Sequence, residues 1–174
     1  LTNTPNAKIT NSSFSGNFNK FINISNSDNL KIISCTVTST YNPNSGSSPD
    51  EYDGVSYSES DLVNSGNGYI YSDVSSTLSN IVIDDVTFNY SPDSISNDRY
   101  SFINFELSSN NSYLSALITN CKFNSLNVSG AIDDFRSAIA IINTASAVTA
   151  PAVQPIINVK ISGNITNHNQ SIIC

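Results

Sequence analysis

The chain has 174 residues, of which 32 are Ser and 26 Asn, against only 7 Lys and Arg. With 14 Asp and Glu the formal net charge is −7, which leaves no electrostatic footprint for nucleic-acid binding. No apolar run approaches the roughly 18 residues of a membrane helix, and 21 Ile, 8 Phe and 8 Tyr are too many for a disordered chain.

Apolar and polar residues alternate in short bursts, the pattern of half-buried strands. The first burst is Lys8-Ile9-Thr10-Asn11-Ser12-Ser13-Phe14, and Phe18 to Ile24 alternates after it. Leu30-Lys31-Ile32-Ile33-Ser34-Cys35-Thr36-Val37 follows. Residues 41–68 then break the rhythm with Pro-, Gly- and Ser-rich turn chemistry and hold 5 of the 14 acidic residues. They read as an expanded loop inserted in one coil of a repeat. Tyr69-Ile70-Tyr71 resumes the strands, and Asn80-Ile81-Val82-Ile83-Asp84-Asp85-Val86-Thr87-Phe88 is the next long burst. A shorter loop is expected at 90–97, then strands from Tyr100 to Leu107 and from Ala116 to Phe123. Further on, Ile132, Phe135, Ile139 and Ile142 fall at helical spacing, yet Ala138-Ile139-Ala140-Ile141-Ile142-Asn143 reads as a buried strand. The strand is preferred because coils are expected on both sides. A third loop at 149–155 precedes the last strand, Ile156 to Ile161.

The bursts resemble one another. Phe14, Val37, Phe88 and Phe123 share one position, and Ser12, Cys35, Val86 and Cys121 lie two residues before them. The separations of 23, 51 and 35 residues fit a base period in the low twenties with insertions. Strands that recur this way, none able to bury its face alone, indicate a solenoid. The predicted fold is therefore all-β: a right-handed parallel β-helix, one segment over 1–174. Neither end shows an amphipathic cap, so an uncapped part of a longer β-helix is expected. Asn and Ser suit its corners because they tolerate left-handed backbone angles, and stacked Asn side chains can form ladders between rungs. A Greek-key or jelly-roll sandwich would explain the alternation but not the repeat.

One stretch, Ile118-Thr119-Asn120-Cys121-Lys122-Phe123-Asn124-Ser125-Leu126-Asn127-Val128-Ser129-Gly130-Ala131-Ile132, resembles a coil of the polymorphic membrane protein type of β-helix. Those coils carry Phe-x-x-Asn and, a few residues on, Gly-Gly-Ala-Ile. Phe14-Ser15-Gly16-Asn17 matches the first element in full. Phe123 departs from it, having Asn127 at the fourth position, and Ser129 stands in place of the first glycine. The resemblance covers one coil well and three others through their strand pattern. It implies a surface-exposed, adhesin-like or passenger-type solenoid rather than an enzyme.

Reactive groups are few. Cys35 and Cys121 hold equivalent inward positions and read as small core residues; their pairing, and that of Cys174, is left open by the sequence. His168, the single histidine, reads as a turn residue. Asp84-Asp85 and Asp133-Asp134 are carboxylate pairs of the kind acid/base catalysis uses, but neighbours in a strand point to opposite faces. The acidic stretch 50–61 lacks calcium-loop spacing and reads as solvated. No metal or other cofactor is expected. Asn-x-Ser/Thr triplets make Asn11, Asn23, Asn89, Asn110, Asn127, Asn164 and Asn169 candidate N-glycosylation sites, in about the number that this composition generates by chance. Tyr52, Tyr57, Tyr69 and Tyr71, in or beside the 41–68 loop, are candidates for stacking on sugars or a protein partner. The expectation is an extracellular or cell-surface structural or adhesion module whose partners are protein chains or surface glycans, in a larger assembly or filament. The competing expectation is a carbohydrate-active β-helix, a lyase or depolymerase, whose catalytic groove is incomplete in this chain.

Overall fold

The computed structural model describes residues 1–17, 20–40, 69–90, 101–125, 138–145 and 154–167. The expanded loop 41–68, nearly all of the loop at 90–97, and residues 149–153 of the third loop lie outside the described residues.

The chain winds in coils. The first carries β1 (Lys8–Thr10), β2 (Ser13–Gly16) and β3 (Ile22–Ile24). The second carries β4 (Lys31–Ile33), β5 (Thr36–Ser39) and β6 (Ile70–Val74). The third has β7 (Thr77–Asp84), β8 (Thr87–Tyr90) and β9 (Ile103–Leu107). The fourth has β10 (Tyr113–Thr119), β11 (Lys122–Ser125) and β12 (Ile139–Asn143). A fifth begins with β13 (Ile156–Ser162) and β14 (Ile165–Thr166). Each coil adds one strand to each sheet: β1-β4-β7-β10-β13 form the first, β2-β5-β8-β11-β14 the second and β3-β6-β9-β12 the third. All of these pairings are parallel. The architecture is a three-sheet parallel β-helix, as the repeat predicts.

The repeat is also the stacking register. Phe14 pairs with Val37, Val37 with Phe88, and Phe88 with Phe123. The column continues from Phe123 to Thr166 in the fifth coil. In the first sheet, Ile9, Ile32, Ile83, Ile118 and Ile161 form a second inward column, and Ile22, Ile70, Ile103 and Ile139 a third in the third sheet. A branched or aromatic side chain repeated on successive rungs buries its flanks against its own kind, which one coil alone could not provide. Ile32, Ile83 and Ile118 are fully buried, whereas Ile9 and Ile161, in the outermost described coils, are only half-buried.

An aromatic block fills the middle of the core. Phe88 and Phe123 stack with centroids 5.3 Å apart at 3°. Phe102 lies 5.9 Å from Phe88 and 5.4 Å from Phe123, and Tyr69 meets Phe102 edge-on at 5.4 Å. Of the stretch expected to be a strand, 138–143, Ile139–Asn143 forms β12 and Ala138 is a bend before it; Ile132 and Phe135 of the competing helical pattern fall outside the described residues.

The corner between the first and second sheets is built the same way in every coil. Asn11, Ser34, Asp85, Asn120 and Gly163 all take positive φ there, between 50° and 67°. A single left-handed residue turns the chain from one sheet to the next, and Asn, Asp and Gly bear that conformation at least cost. The following residue points inward, and in three coils it donates to the carbonyl two residues upstream: Ser12 Oγ to Thr10 at 2.8 Å, Cys35 Sγ to Ile33 at 3.3 Å, Cys121 Sγ to Thr119 at 3.2 Å. This is why a small side chain with a hydrogen to donate recurs at that position. The connection from the second sheet to the third is the variable one, so the uneven coil spacing arises largely there. It spans residues 17–21 in the first coil but 40–69, 91–102 and 126–138 in the next three.

Candidate functional site

Outward-facing side chains hydrogen-bond from rung to rung. At one corner, Asn29 Nδ2 donates to Asn6 Oδ1 at 3.1 Å and Asn80 Nδ2 donates to Asn29 Oδ1 at 2.9 Å. On the second sheet, Asn89 donates to Thr38 Oγ1 at 3.1 Å, Asn124 to Asn89 at 2.9 Å and Asn167 to Asn124 at 2.5 Å. An amide has a donor and an acceptor at opposite sides of one plane, so each residue can accept from one rung and donate to the next. These are the ladders expected of an Asn-rich solenoid.

Carboxylates join the ladders. Asp84 accepts from Thr119 Oγ1 at 2.7 Å and Asn120 Nδ2 at 2.9 Å, one coil on. Asp85 accepts from Ser34 Oγ at 2.9 Å, one coil back. The hydrogen bond from Thr119, then that from Asn120, hold the Asp84 carboxyl below its ordinary range. The two neighbouring acids thus engage opposite coils and share no site. Asp133-Asp134, the 50–61 stretch and His168 lie outside the described residues. Among the described residues, no group of three or more His, Cys, Asp or Glu is arranged to hold a metal ion.

A carboxylate pair the sequence did not single out appears on the outer face of the third sheet. Asp73 of β6 is the register partner of Glu106 of β9, and Tyr71 that of Asn104. Glu106 is only 5% exposed although it points away from the core. Its Oε2 accepts from Tyr71 at 3.1 Å and its Oε1 from Asn104 Nδ2 at 3.3 Å. Asp73 accepts a hydrogen bond from Ser108 Oγ, and Lys20 Nζ sits 4.3 Å from the Tyr71 ring centroid. Burial first, then the charge of Glu106, push the Tyr71 hydroxyl up to about 12, so it stays protonated and donates at neutral pH. The missed signal was the alternation of 70–74 laid over that of 103–107, which the long intervening segments disguise in a linear reading.

The predicted residues fall into distinct environments. Tyr69 is fully buried in the aromatic block, where its hydroxyl donates to the Asn89 carbonyl at 3.0 Å, and burial raises its pKa. Its ring is therefore part of the core and not of a surface. Tyr71 is half-buried in the Glu106 cluster, and Tyr52 and Tyr57 fall outside the described residues. Cys35 and Cys121 are free and buried. Val86 stands between them in the corner column, so two rungs, about 9.6 Å at 4.8 Å per rung, separate positions that a disulfide needs within about 7 Å. Burial pushes the Cys121 thiol up to about 12.

Among the sequons, Asn11 and Asn23 are exposed and Asn110 is half-buried. Asn89 is a rung of the second-sheet ladder. Asn164 uses both ends of its amide, accepting from Cys121 N at 2.8 Å and donating to Ile118 O at 3.0 Å. Asn127 and Asn169 lie outside the described residues.

No family model, no curated protein and no solved structure matches this chain. The likeness to polymorphic membrane protein coils therefore rests on its residues alone. Among the described residues, no helix is long and apolar enough to cross a membrane.

Proposed function

We propose that the chain is a non-enzymatic structural or adhesion module of an extracellular or cell surface, a stiff β-helical scaffold that presents recognition segments. The observation that carries this reading is the use of outward polar groups between rungs. The Asn ladders and the carboxylates of Asp84, Asp85, Asp73 and Glu106 are engaged by hydrogen bonds within the fold. A rod gains stiffness from such bonds, whereas an acid/base catalyst needs a carboxyl group free to meet substrate. The connections between the second and third sheets support the recognition role. They vary in length from coil to coil while the strands around them keep register, which is how solenoids carry binding segments on a constant frame. The passenger-type reading suggested by Phe14-Ser15-Gly16-Asn17 is the finer form of the same proposal.

Beads coated with the chain are expected to adhere to cells or immobilised glycans. Replacing residues 41–68 by a short Gly-Ser linker should lower that adherence at least about ten-fold, the effect of losing a loop of aromatic contacts. Unchanged adherence would remove the recognition role of this segment. Expression through a eukaryotic secretory pathway should place hexose on Asn11 or Asn23 before Asn164, whose amide is already doubly bonded.

A second reading, a carbohydrate-active β-helix, is favoured by one observation: Asp73 and Glu106 stand on adjacent rungs of one face. Carboxyl groups about 5–5.5 Å apart are the spacing of retaining glycosidases. Release of reducing ends from polysaccharides, abolished by Glu106→Gln, would establish that reading and overturn the structural one.

A further inference from the structure

Three of the seven basic residues stand in one outward column of the first sheet. Lys8 pairs with Lys31, Lys31 with Val82, Val82 with Leu117, and Leu117 with Lys160. All three lysines are exposed. At about 4.8 Å per rung, Lys8 and Lys31 are immediate neighbours and Lys160 lies about 14 Å further on. Like charges directly opposite on neighbouring strands destabilise a sheet. In a chain of net charge −7 an acidic neighbour would be the ordinary remedy. Among the described residues, no acidic side chain forms an ion pair with Lys8, Lys31 or Lys160. Two acids at the ends of this sheet's strands are hydrogen-bonded within the fold: Asp28, three residues before Lys31, accepts from Ser79 N at 2.6 Å, and Asp84, two residues after Val82, is held by Thr119 and Asn120.

The same face is grooved. A depression of about 450 Å³ runs beside Lys8 and Lys31, and one of about 200 Å³ lies between Val82, Leu117 and Lys160. The second has a backbone cause. β7 carries Ser79 and Asn80 where β10 has only Ser115, and Asn80 takes a φ of 56° to absorb the extra residue. The bulge bends the sheet locally and opens the hollow. Asn6 and Asn29 line the first hollow, and Asn80, Ser115 and Asn158 the second.

We propose that this face binds a carboxylated, hydroxyl-rich polysaccharide strand lying along the helix axis, an inference that rests on the adhesion reading and supplies its partner. Sparse positive charge beside the Ser115 hydroxyl and the amides of Asn6, Asn29, Asn80 and Asn158, the first three of which keep hydrogen-bonding capacity beyond their ladder bonds, matches a polymer with widely spaced carboxylates and many hydroxyl groups. Nucleic acid, with one charge per about 1.7 Å, and densely sulfated glycans would meet the repulsion of a net −7 chain with only three lysines in return. A protein partner would need about 800 Å² of surface with an apolar centre, whereas the apolar side chains of this face, Ile33, Val82, Leu117, Tyr113 and Ile156, are set among Lys31, Asn80, Ser115, Asn158 and Lys160.

The test is retention of the whole chain on immobilised hyaluronan, heparin, neutral dextran and single-stranded DNA at 20 mM and 200 mM salt. Hyaluronan should retain it at 20 mM and release it at 200 mM salt, with a log–log slope shallower than the about −2 that three contacts would give on a single-stranded nucleic acid, because widely spaced carboxylates hold fewer condensed counterions; dextran should not retain it. The double variant Lys8→Gln/Lys31→Gln should bind hyaluronan about ten-fold more weakly, while its thermal midpoint stays equal or rises as the lysine repulsion is relieved. Tighter binding to heparin or DNA than to hyaluronan would overturn the proposal, as would a double variant that binds like the parent. If cell adherence persists unchanged in that variant, the adhesion reading stands and this assignment of its partner fails. If hyaluronan is retained but cleaved, the adhesion reading itself fails.

Discussion

Phe88→Ala tests whether stacked aromatic rungs hold this fold together. The side chain is fully buried, stacks on Phe123 and touches Phe102 and Tyr69 at centroid distances of 5.9 and 6.2 Å. Phe→Ala in a core costs about 3–5 kcal/mol through lost transfer energy and the cavity left behind. The cavity should sit at the upper end here, because neighbouring rungs fix the backbone around it and prevent collapse. Against a total stability of about 5–15 kcal/mol, a loss of about 4 kcal/mol is large. With a urea slope of about 2 kcal/mol/M, the midpoint should fall by about 2 M. The chain has no Trp, so far-UV circular dichroism and tyrosine fluorescence are the probes. Phe14→Ala is the matched control at the same column position in the first coil, where the ring is half-buried and meets Phe21 at 4.5 Å. It should cost about half as much, because an outer rung is packed on one side only. A Phe88→Ala shift below about 0.5 M, or a larger effect at Phe14, would refute the argument.

Three further outcomes follow from the corners and ladders. Asn29 has a φ of 59° and two ladder bonds, so Asn29→Ala should cost about 2 kcal/mol, from strain of about 1 and two exposed hydrogen bonds of about 0.5 each. Asn29→Gly should recover the strain; a glycine variant no more stable than the alanine one would contradict the backbone account. The Asp84 carboxyl is depressed in the folded state, so its contribution is present above the unfolded carboxylate pKa of about 3.9 and disappears as pH falls through the lower folded value. Thermal midpoints from pH 6 down to 2 should therefore drop less steeply in Asp84→Asn, and parallel profiles would count against the ladder. In a Cys174→Ser background, Cys35 and Cys121 should stay unreactive to a disulfide reagent at pH 8 and react only in urea, since both are buried and the Cys121 thiol is pushed up to about 12. Rapid labelling of the native protein would show that the coils open locally.

The repeated strand was legible because stacking is a translation. Residues one coil apart meet the same surroundings, so Phe14, Val37, Phe88 and Phe123 could be aligned from the sequence before any pairing was known, and that alignment is the register. The corner positions were legible for the same reason, through Ser12, Cys35, Val86 and Cys121. The third sheet was harder. Its strands follow the connections of variable length, so Tyr71–Asp73 and Asn104–Glu106 carry no common spacing relative to the other strands of their coils. Tyr69 shows the limit at a single residue. Beside a Gly- and Ser-rich stretch it reads as a surface aromatic, yet it closes the core against Phe102.

The parallel β-helix, its inward columns and the chemistry of its Asn-rich corners can be read along the chain, because each follows from alternation and recurrence. Which outward side chains meet is set by the stacking of the coils. That depends on how many residues each coil inserts before returning to register, and it sets Lys8 beside Lys31, Asp73 beside Glu106, and Asp84 and Asp85 toward different coils. Inward residues are sorted by water, which any sequence pattern records; outward neighbours are sorted by register, which arises only when the coils are laid on one another.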